Sequence, residues 1–116
     1  MDKILLISPN SQLVRGLTWN LEDAGFLVSV STSLEESFLE TGTTAPFLVI
    51  VDDDATPGES WKTRQFLRWF RLRSPLLLLS NGGCTGLEKE CNQCFPKTGP
   101  KNELLSRIQD WVVEAS

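Results

Sequence analysis

Residues 47–58 read Phe-Leu-Val-Ile-Val-Asp-Asp-Asp-Ala-Thr-Pro-Gly, an unbroken β-rich apolar run that stops at three aspartates and a Pro-Gly turn. A run this short, apolar on both faces, is a strand covered from both sides, as the inner strands of parallel sheets are. In an open sheet of that kind, functional groups gather beyond the carboxyl ends of the strands. Asp52, Asp53 and Asp54 stand there. A solvated, inert turn can look the same, so the meaning of the acids depends on what the rest of the chain brings to them.

The rest of the chain alternates around this strand. Lys3–Ile7 is a short apolar strand broken by Ser8-Pro9-Asn10, with Asn10 or Ser11 placed to cap the next helix. Leu13, Leu17, Leu21 and Ala24 then recur at helical spacing, with Val14 widening the stripe, Trp19 off it, and Gly25 at the C-terminal end. Phe26–Val30 is a second strand. Ser33 to Glu36 has capping-box spacing and opens a short helix with Leu34, Phe38 and Leu39 inward, ending near Thr41-Gly42. After Pro57-Gly58 comes a helix with Trp61, Phe66, Trp69 and Phe70 as apolar positions and its arginines on the solvated side. Aromatics at this spacing are expected in the core, with a partner-binding patch as the other reading. Trp19 is the stronger candidate for an interface anchor.

Pro75–Leu79 is a fourth strand. Residues 84–93 are weakly patterned, with only Leu87 clearly apolar, and have room for one or two helical turns; Cys94-Phe95 marks a fifth strand. A last helix starts near Asn102 and buries Leu104, Leu105, Ile108, Trp111 and Val112. Strands alternating with helices require right-handed crossovers, hence an α/β fold with a parallel, doubly wound sheet. The expected strand order is 2-1-3-4-5, in a single domain over residues 1–116.

Charge and residue types exclude several functions. The chain has net charge −4 and no histidine. Arg64, Arg68, Arg71 and Arg73 form a local basic group, but the summed field repels phosphate and direct nucleic-acid binding is not expected. There is no imidazole base or metal ligand, no catalytic set stands out, and an enzyme is not expected. No apolar run is long enough for a membrane span, and the amino terminus is too short for a secretory signal. A cytoplasmic location follows as the default. Cys84, Cys91 and Cys94 are odd in number, excluding a complete disulfide framework. They offer three of the four ligands of a structural zinc, or a Cys-x-x-Cys pair, but are expected to be reduced packing residues.

From about residue 3 to 113 the chain resembles the receiver domains of bacterial two-component response regulators. The resemblance rests on the strand ending in acids before Pro57-Gly58, on Ser80 closing Pro75-Leu76-Leu77-Leu78-Leu79, and on Lys97 ahead of Glu103-Leu104-Leu105. It implies a phosphoacceptor aspartate four residues before the proline, hence Asp53, with Asp52 in reserve and Asp54 as a turn residue. It also implies that Ser80 and Lys97 hold the phosphoryl oxygens. An acyl phosphate needs a carboxylate nucleophile with a cation and a hydroxyl fixed around it.

The departures are as informative. Where the family ends strand one in an acidic pair that holds Mg²⁺, this chain has Ser8 and Pro9. Thr98 follows the lysine where proline is usual, and Cys94 replaces the aromatic switch residue of strand five. The span from Ser80 to Lys97 is about five residues short, which shortens the helix between strands four and five, the fourth in order and the family's usual output surface. The resemblance thus implies an atypical receiver that acts as an interaction module with impaired Mg²⁺-dependent phosphorylation. No cofactor is expected, and any Mg²⁺ would depend on Asp52 and Asp53. The implied partners are a sensor histidine kinase or a fused or associated output domain, with a homodimer left open. The alternative is a working phosphoacceptor using Asp53. A more remote one is a flavodoxin-like cofactor protein, which the glycine-free Ser8-Pro9-Asn10-Ser11 loop fits poorly.

Overall fold

The computed structural model describes the backbone of residues 3–40, 46–56, 61–80, 87–97 and 101–115, with side chains at 38–40, 87–88, 101–102 and 111–115 outside the description. In chain order the elements are β1 (Lys3–Ile7), α1 (Ser11–Asp23), β2 (Leu27–Ser31), α2 (Leu34–Glu40), β3 (Leu48–Asp52), α3 (Trp61–Arg71), β4 (Leu76–Ser80), β5 (Gln93–Pro96) and α4 (Lys101–Ala115). Two 3-10 turns, Asp53–Ala55 and Leu87–Glu90, follow β3 and precede β5. The five strands form one sheet in the order β2-β1-β3-β4-β5, every pair parallel. Between β4 and β5 the described residues hold the 3-10 turn Leu87–Glu90; residues 81–86 of that span, where a shortened helix is expected, lie outside the described residues.

Period-two alternation along the strands sorts the core into two layers. Leu5, Ile7, Val49, Val51, Leu76 and Leu78 face Leu67 and Phe70 of α3 and Leu34 of α2. Ile4, Leu6, Leu48, Ile50, Leu77 and Leu79 face Leu17 and Leu21 of α1 and Leu104 and Ile108 of α4. All five residues of β3 are buried, and so are all five of β4. β3, with neighbours on both sides and helices on both faces, is the axis of the molecule.

Local chemistry sets the helix boundaries. Asn10 Oδ1 accepts from the N–H groups of Gln12 and Leu13, which starts α1. One residue past the Ala24 cap, Gly25 turns the chain with a φ of 99°, a conformation that disfavours any side chain. At α2, Ser33 Oγ accepts from the Glu36 N–H at 3.1 Å, but the Glu36 carboxylate takes the Thr32 hydroxyl rather than closing the box.

Some expectations need correction. Ala24 is exposed and caps α1 rather than belonging to its buried stripe. Trp61 is 74% exposed, while Leu67, absent from the expected apolar set, is fully buried. At 100° per residue Trp61 points about 180° from Phe70, so the two cannot share a face. Phe66 and Trp69 lie half-buried at the edge of the α3 layer, and Trp69 meets Phe70 edge to face at 5.0 Å. Trp19 is 70% exposed, as its place off the stripe implies. Cys91 is buried and Cys94 half-buried, both on the α3 side of the core. Cys84, the Thr41-Gly42 helix end, Pro57-Gly58 and Thr98, and the side chains of Phe38, Leu39, Leu87, Trp111 and Val112, lie outside the described residues. No helix is long and apolar enough to cross a membrane among the described residues.

Candidate functional site at the carboxyl edge of the sheet

Three strand ends converge here. Parallel pairing of Ile7 with Val51 places Ser8 beside Asp52. The Ser8 hydroxyl donates to Asp52 Oδ2 at 2.6 Å, both residues being buried. The same Ser8 oxygen accepts the Asn10 N–H at 3.1 Å, which joins the end of β1 to the start of α1. Asp52 Oδ1 accepts the Asp54 N–H at 3.0 Å and so caps the 3-10 turn. Thr56 closes that turn by donating its hydroxyl to the Asp53 carbonyl at 2.8 Å.

The cation arrives from the other side of β3. Ser80 pairs with Pro96 at the end of β4 and β5, and the Lys97 N–H extends the ladder to the Ser80 carbonyl at 3.0 Å. From there the Lys97 ammonium makes ion pairs with Asp52, Asp53 and Asp54, the last at 3.0 Å. The Lys97 side chain is only 8% exposed. Burial alone would lower its pKa, but the close carboxylates of Asp52, Asp53 and Asp54 outweigh that and hold the ammonium above the ordinary lysine range. Both oxygens of Asp52 are thus engaged, while Asp53 keeps 19% of its side chain exposed.

The expected site residues separate accordingly. Ser8, Asp52, Asp53, Ser80 and Lys97 share this edge, and Asp54, read as a turn residue, also contacts the lysine. Pro9 is exposed and contributes no side-chain donor. Cys94 pairs with Leu78 two positions inside the edge, so it lies along the strand rather than at the acids.

The oxygens of Asp52, Asp53 and Asp54 lie within 4.8 Å of one another, close enough to hold a metal ion. Magnesium demands near-octahedral oxygen coordination. In this arrangement the Lys97 ammonium already contacts all three carboxylates and the Ser8 hydroxyl is committed to Asp52. The donor set does not fit magnesium while Lys97 stays in place.

A second ionic cluster lies outside the expectations from sequence. Glu90, buried at the end of the turn before β5, accepts from Arg68 Nε at 2.7 Å and Nη2 at 3.2 Å, and lies 3.6 Å from Arg64 Nη1. The Arg68 hydrogen bond holds the Glu90 carboxyl below its usual range against the opposing effect of burial, with help from the charges of Arg68, Arg64 and Arg71. An acid in a weakly patterned segment gives no sequence signal of such a partner; the run of arginines at 64, 68 and 71 was the available clue.

No family model and no curated protein matches the chain. Solved structures do. A two-component response regulator from Clostridium difficile aligns over 100% of this chain and 99% of its own, with TM-score 0.84 at 15% identity. This is the receiver fold. Two further receiver-fold neighbours are the chemotaxis response regulator CheY4 of Vibrio cholerae and the response regulator TrrA of Thermotoga maritima, the latter in complex with Mg²⁺ and BeF. The first has TM-score 0.77 at 18% identity over 96% of this chain and 98% of its own. The second has TM-score 0.80 at 18% identity over 96% and 99%. At these identities the likeness establishes the receiver architecture, and the roles of single residues rest on the geometry above.

Proposed function

We propose that this chain is an atypical receiver module of two-component signalling that works by binding protein partners, with magnesium-dependent phosphorylation impaired. The observation that carries this reading is the Lys97 ammonium paired with Asp52, Asp53 and Asp54 at once. Phosphoryl transfer relies on a metal ion to neutralise developing charge. Here a resident side chain holds the acids, and Ser8 and Pro9 supply no carboxylate to compete for the ion. A fixed internal cation favours one arrangement of the site, which suits a constant binding surface better than a switch. The partners fitting this reading are a sensor histidine kinase or an associated output domain.

A second reading has its own support. Asp53 contacts Lys97 while keeping 19% of its side chain exposed, with Ser80 at the same edge, which supports Asp53 as a phosphoacceptor. Incubation with Mg²⁺ and acetyl phosphate, followed by intact mass measurement, separates the two. Under the first reading there is no stoichiometric phosphate adduct, and amide spectra are unchanged by Mg²⁺. A stoichiometric adduct abolished by Asp53→Asn would overturn it and establish the second.

A further inference from the structure

The outward face of α3 carries a pattern that the core does not use. Trp61, Arg64, Arg68 and Leu72 stand at i, i+3, i+7 and i+11, within an arc of about 80°. Leu72 lies just past the end of the helix but continues its geometry, its N–H bonding to the Arg68 carbonyl at 3.1 Å. Trp61 is 74% and Leu72 87% exposed, so an apolar group brackets each end of an arginine pair. The two ends are about 16 Å apart, three turns of helix.

The charge here is opposite to that of the molecule. Residues 61–73 contain Lys62, Arg64, Arg68, Arg71 and Arg73 and no acid, in a chain of net charge −4. Glu35, 2.7 Å from the Lys62 ammonium, and Glu90 each offset one of these charges; Glu90 also holds the guanidinium of Arg68, while Arg71 Nη1 donates to the Lys89 carbonyl at 2.9 Å. Among the described residues, Arg68 uses two of its five N–H donors, both on Glu90. Side chains already held in place lose little freedom on binding, and Trp and Arg dominate interface energetics. A groove of about 420 Å³ lined by Arg68, Arg71, Leu72 and Glu90 lies beside the stripe.

We propose that this stripe is a docking surface for an acidic amphipathic segment of a partner protein, with carboxylates on the arginines and apolar side chains against Trp61 and Leu72. The proposal deepens the interaction-module reading and rests on it. A protein segment fits better than a polyphosphate because the face is apolar at both ends, and a polyphosphate has nothing to set against Trp61 and Leu72. A bidentate carboxylate matches the arginine fork.

The test is selection of a random 16-residue peptide library on the wild-type chain, with counter-selection on the Arg71→Glu, Leu72→Ser double variant. Both substitutions are at exposed positions, and thermal melts confirm that the variant folds. Enriched sequences are expected to carry Asp or Glu between apolar residues about three helical turns apart. They are expected to bind Trp61→Ala and Arg71→Glu at least tenfold more weakly, and to shift the amides of residues 68–72 and 89–90. A pool that binds the double variant equally well, or is not acidic, overturns the proposal. So do the same shifts elicited by duplex DNA or anionic vesicles, and so does self-association abolished by Leu72→Ser, which would give the face to a second copy. The selection uses neither Mg²⁺ nor phosphodonor, so its failure removes this surface alone, while the mass measurement decides the reading beneath it.

Discussion

Ser8 and Asp52, 44 residues apart in the chain, share a buried hydrogen bond of 2.6 Å that ties the end of β1 to the end of β3. Removing the hydroxyl leaves a carboxylate oxygen in the interior without its donor. Ser8→Ala is expected to cost about 1–3 kcal/mol, the range for a buried acceptor left unsatisfied, measured by urea denaturation.

Placing an acid at the same position has a different outcome. Ser8→Asp sets a second carboxylate against Asp52, and like charges at that distance are unfavourable. The variant is expected to melt below wild type in EDTA and to recover with millimolar Mg²⁺, since an ion that binds only the folded state stabilises it. The wild-type melting temperature is expected to stay the same with and without Mg²⁺.

Lys97 is the only cation in the described residues that contacts Asp52, Asp53 and Asp54. Lys97→Met leaves those acids without it, and loss of one partner of a buried ion pair costs about 3–5 kcal/mol. Thermal and urea melts of the variant check this.

The Glu90 carboxyl, held below its ordinary range first by the Arg68 hydrogen bond, gives a pH signature. A group whose folded pKa is depressed stabilises fully above its unfolded value, near 4.3, and loses that contribution as pH falls through the folded value. The stability difference between wild type and Glu90→Gln is therefore expected to be constant from neutral pH down to about 5 and to shrink in more acidic solution. Denaturation curves at a series of pH values give the comparison.

The α3 register makes a paired prediction. Phe70→Ala removes a side chain that is 2% exposed and is expected to cost about 3–5 kcal/mol. Trp61→Ala, on the opposite face, is expected to change stability by no more than about 0.5 kcal/mol. Equal losses at the two positions would contradict the orientation of the helix.

The sheet and its order were legible because β3 and β4 are continuous apolar runs between turn residues, and such runs have few other uses. The helix starts at Asn10 and Ser33 were legible for a similar reason, since capping is a local interaction. What was not legible depended on phase or register. Trp61 belongs to the same aromatic group as Phe70 in composition, and only the 3.6-residue period separates their faces. Ser8 was recognised as a missing acid, but its bond to Asp52 needs the pairing of Ile7 with Val51, which the strand sequences do not specify. Glu90 meets Arg68 only because the turn before β5 lands on α3, and the residues of that turn carry no periodic signal. Asp54 reads as a turn residue in sequence, since the count back from Pro57 falls on Asp53, and its approach to Lys97 depends on where the end of β5 lies.

Lys97 joins two structures through one residue: its N–H closes the β4–β5 ladder at Ser80 while its side chain reaches into the acids of β3. β5 is an edge strand with a neighbour on one side only, the kind of strand that frays first. Its last hydrogen bond is therefore latched by charge at the centre of the sheet rather than by neighbouring backbone. The exchange rate of that single amide proton becomes a gauge of the acid cluster, slow while the lysine is held and fast once anything else takes its place.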